Sequence, residues 1–182
     1  MKKRLIMALL MVGFLLTGAT VYAGPFGNPA DVEDSKTIWK VLVKEKLVGP
    51  GMVNSVPFEG QEPHGAILES LDKRITVGDH SGAVIVKRNY GGKDVSKHAV
   101  ANDPAKYLKA VTVMFKRERG YDPENQDWFW AKFKPDGSLH TNPKGMKLTG
   151  RVAKGMPKGC IACHRAAPGG DYVFGHDRFV DK

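Results

Sequence analysis

Cysteine is almost missing: among 182 residues only Cys160 and Cys163 carry a thiol. With no second paired set of Cys or His, a four-ligand structural zinc site lacks its ligands. A thioredoxin-like redox pair wants a βαβ setting, which the chain does not offer. A disulfide closing so small a loop would staple little and would leave the adjacent His164 unexplained. Internal repeats and low-complexity tracts are absent too, and the lysines are scattered rather than clustered with aromatics, so there is no nucleic-acid footprint. No Met follows His164.

What is present begins with a leader. Lys2, Lys3 and Arg4 form a positive n-region, and Leu5 to Val21 is apolar apart from Gly and Thr. Val21-Tyr22-Ala23 then offers small residues where a signal peptidase reads. The run is short for a membrane span and no stop-transfer charges follow. Residues 1–23 are therefore expected to be a cleavable signal peptide, and 24–182 a single domain matured in the periplasm. The formal charge of +9 falls to 25 − 19 = +6 once the three leading basic residues are gone. That modest excess suits a solvated surface, or an acidic redox partner protein.

Residues 24–34 read as a flexible leader. Ile38, Trp39, Leu42, Val43 and Leu47 fall near helical spacing, and Gly49-Pro50-Gly51 stops the run. From Met52 to His80 little regular pattern appears, except a turn at Glu62-Pro63-His64-Gly65 and room for a short strand after it. The middle is β in character: Ala83–Lys87, Val111–Lys116 and Trp128–Phe133 are compact β-branched or aromatic runs. Asp103-Pro104 marks a helix start, and residues 138–159 read as a loop. The pattern predicts an α+β domain, mostly antiparallel sheet with flanking helices.

Cys160-Ile161-Ala162-Cys163-His164 has the spacing of c-type haem attachment. Two thiols separated by two residues reach the two vinyl groups on one edge of a porphyrin, and the following His is held under the iron as an axial ligand. One covalent haem c is expected, with Cys160, Cys163 and His164 binding it and His164 ligating the iron. Such attachment is made outside the cytoplasm, which agrees with the leader. Only 182 − 164 = 18 residues follow His164, so an arrangement with a ligating Met far downstream is excluded. Met52, Met114, Met146 and Met156 lie upstream and leave a sixth-ligand role open, though a strand Met is more often core. Late placement suggests a five-coordinate iron with an open face. Poor helical periodicity opposes a four-helix bundle.

Several stretches resemble the cytochrome P-460 family, including its uncross-linked relative, cytochrome c′-beta. They are Pro63-His64-Gly65, Gly82–Lys87 with Asn89-Tyr90, Val111–Lys116, Gly120-Tyr121-Asp122-Pro123, Asp127–Lys132, Gly159–His164 and Asp171-Tyr172-Val173-Phe174. Their order holds from Pro63 to Phe174, and the N-terminal helix lies outside it. The resemblance implies a mostly antiparallel sheet packed on a covalently attached haem, a proximal His164 and a distal face without a protein ligand. It also implies a lysine joined to the porphyrin, by position Lys87, and oxidation of hydroxylamine, in some members with nitric oxide. Cytochrome c′-beta proteins lack the link and bind nitric oxide and carbon monoxide. Small nitrogen-oxide or gas ligands, a redox partner and a homodimer are the partners to expect, and an electron carrier is the remaining alternative.

Read from its residues, Lys87 shares strand parity with Ala83 and Ile85, and Lys93 and Lys97 compete with it. No distal carboxylate is assignable: Glu118, Asp122, Glu124 and Asp127 read as exposed loop acids. Trp128, Phe129, Trp130 and Phe133 read as core and haem packing. Phe58 and Phe115 are candidates to cap the iron. His64 reads as a turn residue with a distal position the minority reading, and His80, His98, His140 and His176 carry no ligand spacing.

Overall fold

The computed structural model describes residues 26–175. The leader and signal-cleavage expectation, and His176, lie outside them. Among the described residues no helix is long and apolar enough to cross a membrane.

The fold is α+β. Helix α1 (Pro29–Lys44) precedes strands β1 (Phe58–Glu59), β2 (Ile67–Val77) and β3 (His80–Tyr90). Short helices α2 (Lys97–Asn102) and α3 (Pro104–Tyr107) lead into β4 (Leu108–Lys116), then β5 (Trp128–Phe133), β6 (Thr149–Gly150) and helix α4 (Cys160–His164). The six strands form one antiparallel sheet in chain order, β1 to β6.

Two elements exceed what the sequence suggested. α1 starts inside the expected leader, because Asn28 caps it, Pro29 supplies a ready-made first turn and Asp31 closes a capping box. β2 runs eleven residues where only a short strand had room. Its far half, Asp72-Lys73-Arg74, is exposed and hides the alternation. Backbone pairing to β3 from Ile67↔Tyr90 to Val77↔His80, across the two-residue turn Gly78-Asp79, holds it in place. The expected strand runs and the Asp103 cap are present, the latter with Oδ1 accepting from the Lys106 N–H. The 138–159 segment is mostly loop, crossed by β6.

The sheet has two buried faces, and register assigns each strand residue to one. Val84, Val86, Val111, Val113, Phe115, Phe129 and Phe133 pack with Ile38 and Leu42 of α1. Beside them lies a buried ion pair, Arg88 Nη1 to Glu69 Oε2 at 2.9 Å, with the Tyr90 hydroxyl also on Glu69 and the Leu47 carbonyl capping the guanidinium. The other face carries Ile85, Met114, Trp128 and Trp130, packed with Val152, Ile161 and Tyr172 of the C-terminal segment. One face is structural core; the other holds the site.

Candidate functional site

The second face forms the floor of a cleft. Register aligns Ser70 with Lys87, Lys87 with Thr112 and Thr112 with Lys132, so these side chains cross the sheet as a row. One step along, Ile85, Met114 and Trp130 make the adjacent row. Leu148, Val152, Cys160, His164 and His64 also line the cleft. Its walls are chiefly apolar, as expected of a site for a large flat hydrophobic ligand with a few placed polar groups.

α4 delivers the motif residues. Gly159 precedes it at φ 129°, a backbone setting that favours glycine, and its added Cβ would lie 2.4 Å from that of Ala153. Ile161 is buried and anchors the turn, while Cys163 is exposed and Cys160 half-buried. The two thiols are not joined to each other, and burial pushes the Cys160 thiol up.

His164 is buried and its orientation is fixed. Its Nδ1 lies 2.7 Å from the Tyr172 carbonyl oxygen, an acceptor only, so Nδ1 carries the proton and Nε2 keeps its lone pair. The Trp130 ring meets the imidazole edge-on at 4.8 Å between centroids, and Phe174 does so at 5.2 Å. Tyr172 is itself pinned: its hydroxyl reaches Asn125 Oδ1 and the Glu124 carbonyl, and Arg165 donates to the same Oδ1 at 3.1 Å.

Lys87 is only 8% exposed. Strand parity turns it to the cleft, where Nζ donates to the Phe174 carbonyl at 3.1 Å and lies 6.0 Å from that ring's centre. Its rivals are placed elsewhere: Lys93 and Lys97 are exposed, and Lys97 reaches toward Glu59. Burial lowers both His64 and His164 to about 4, and the Lys87 charge adds to each shift, so both imidazoles are neutral.

Several expectations need correction. Phe115 faces α1, because its register with Val84 and Phe129 puts it on the opposite face from Lys87. Phe58 sits in β1, outside the residues lining the cleft. Asp122 is not an exposed loop acid: it is buried, accepting from Asn125 Nδ2 at 2.8 Å and Lys154 Nζ at 2.6 Å. Asp127 is half-buried and accepts from the Asp122 N–H. Glu118 and Glu124 are exposed as expected, and no carboxylate lines the cleft among the described residues. His64, read as a turn residue, lies in the cleft beside Thr112. The signal that could have found it was its place just ahead of the strand pairing with Lys87's strand.

The site fits a haem on its own chemistry. Apolar walls, two thiols on one helix and a neutral imidazole with a directed Nε2 are the parts such a group needs. Trp130 Nε1, Ser70 Oγ and the Asn89 carboxamide are buried on this same sheet face without a hydrogen-bond partner among the described residues. Among those residues, no group of three His, Cys, Asp or Glu side chains is arranged to hold a bare metal ion.

A family model described as Cytochrome P460 matches residues 70–175, more than half of the chain. No curated protein and no solved structure matches it.

Proposed function

The chain belongs to the cytochrome P460 family of haem cytochromes, and we propose that it is an exported mono-haem c-type cytochrome acting on small nitrogen ligands. In this reading Cys160 and Cys163 would form the thioethers, His164 would ligate the iron, and hydroxylamine or nitric oxide would be the small molecule handled there. The observation that carries it is the bond from His164 Nδ1 to the Tyr172 carbonyl, which commits Nε2 to a cleft that also receives Cys160 and Lys87.

A haem bound here supplies an iron that takes small ligands and exchanges electrons with them. The protein's share is orientation and environment. Asn125, Tyr172 and Arg165 hold the His164 ring; Ile85, Met114, Trp130 and Val152 exclude water; and Lys87 places an amine at the cleft wall. On its place in β3 facing the cleft that receives Cys160 and His164, we assign Lys87 to a covalent link with the porphyrin.

A second reading, binding of nitric oxide or carbon monoxide without turnover, is favoured by one observation. The cleft lining contains no carboxylate among the described residues, so a proton acceptor of that type for hydroxylamine oxidation is not in place. Peptide mass mapping of holoprotein matured in a periplasm separates the two. Haem bridging the Lys87 peptide to the Cys160–His164 peptide supports the enzymatic reading, with hydroxylamine turnover as the next assay. Haem on the two cysteines alone removes the link and favours gas binding.

A further inference from the structure

Lys132 is the second cation on the cleft floor, and haem attachment leaves it without a role. β5 reads Trp128-Phe129-Trp130-Ala131-Lys132-Phe133, and its alternation divides the strand between the two faces of the sheet. Phe129, Ala131 and Phe133 join the core under α1, whereas Trp128 and Trp130 pack on the cleft side. Lys132 shares the parity of the two tryptophans. It therefore points to the cleft, which it lines, half-buried.

Its surroundings offer no counter-charge. Register puts Thr112 opposite Lys132 and Lys87 one strand further, so two lysines share one floor roughly 10 Å apart, at about 4.8 Å per strand. No carboxylate lines the cleft among the described residues, and none of them forms an ion pair with Lys132. The charge of Lys132 is felt across the site all the same. Burial lowers His64 and raises Cys160, and the Lys132 ammonium adds to the first shift and opposes the second.

A cleft with apolar walls, two cations and no acid suits a flat apolar ligand that brings its own negative charge. A haem does so, through two carboxylates on the edge away from the vinyl groups that the cysteines reach. Lys87 donates to the Phe174 carbonyl and, in the reading above, is joined to the porphyrin. That leaves Lys132 for the carboxylates.

We infer that Lys132 is the charge partner of a haem carboxylate and thereby sets how readily the iron is reduced. The inference rests on the haem reading above and adds to it a residue outside the attachment motif. An uncompensated carboxylate favours ferric over ferrous haem, because the ferric form carries one more positive charge. In a cleft poor in water that preference is strong, and a paired ammonium cancels part of it. Lys132 is a positioning residue in this account; it touches no reacting atom.

The test uses periplasm-matured holoprotein. Lys132→Gln is expected to keep haem on both cysteines by mass, to lower the reduction equilibrium constant about tenfold, or about 59 mV for one electron, and to shift the carboxylate bending band in the resonance Raman spectrum. Lys132→Arg is expected to restore both readings. Lys144→Gln, which removes the same charge from an exposed loop, should change neither. An unmoved Raman band in Lys132→Gln overturns the inference whatever the potential does, since a lysine reaching only to water would leave it unmoved. An equal fall in potential in Lys144→Gln overturns it as well. Wild-type protein gives a check that needs no variant: in the ferrous carbon monoxide form, nuclear Overhauser contacts are expected between the Lys132 ε-methylene and a haem carboxyethyl group, and their absence overturns the assignment. A chain without haem on the Cys160–His164 peptide refutes the haem reading itself, a different failure from any of these.

Discussion

Lys87 donates from Nζ to the backbone oxygen of Phe174 at 3.1 Å, which ties the middle of β3 to the segment beyond the cysteine–histidine motif. The contact puts a cation against the same apolar cleft that receives His164. Replacing Lys87 by Met keeps the cleft volume and removes the charge. We expect the variant to retain haem on both cysteines by mass, with an absorption spectrum displaced from wild type.

The proximal support gives a second prediction. Asn125 Oδ1 gathers the Tyr172 hydroxyl and Arg165 Nη2, and through Tyr172 fixes the carbonyl that accepts from His164. Asn125→Ala should loosen that acceptor and make the imidazole a weaker donor to the iron. The haem midpoint potential is then expected to rise by roughly tens of millivolts, read by spectro-electrochemistry. Tyr172→Phe, which removes the hydroxyl and with it the Glu124 contact as well, should shift it at least as much.

On the far face, the Arg88–Glu69 pair supports the sheet and not the site. Arg88→Met leaves Glu69 buried with, among the described residues, only Tyr90 and the Ser55 N–H as partners. We expect a loss of about 3–5 kcal/mol in denaturant unfolding, with the native haem spectrum unchanged.

Asp31 gives a pH-dependent prediction. Burial raises its carboxyl above the ordinary 3.8, although the Gly27 and Asn28 N–H groups pull the other way. With the folded value raised, the contribution of Asp31 to stability is complete below 3.8 and is lost as pH rises through the folded value. Asp31→Asn, which does not ionise, should gain on wild type as pH is raised above 3.8, measured as paired unfolding curves.

The three central strands were legible because each is written locally, as a β-branched or aromatic run. β2 was not, since its exposed Asp72-Lys73-Arg74 carries no alternation and only pairing with β3 holds it extended. Parity showed that Lys87, Ala83 and Ile85 share a face but not which face meets the cleft; α1 covering the opposite side decides that. The same register removed Phe115 from the site. Asp122 looked exposed because its partner Lys154 lies far along the chain. His64 escaped because a turn histidine is unremarkable until the fold brings it to His164.

The central claim is a haem covalently held at Cys160 and Cys163. It is tested most directly by extracting periplasm-matured protein with acidified acetone and measuring the haem that stays with the polypeptide, in wild type and in the Cys160→Ala, Cys163→Ala double variant. Retention is expected in wild type, and none bound through those positions in the double variant. Haem that leaves the wild-type chain on extraction would contradict it.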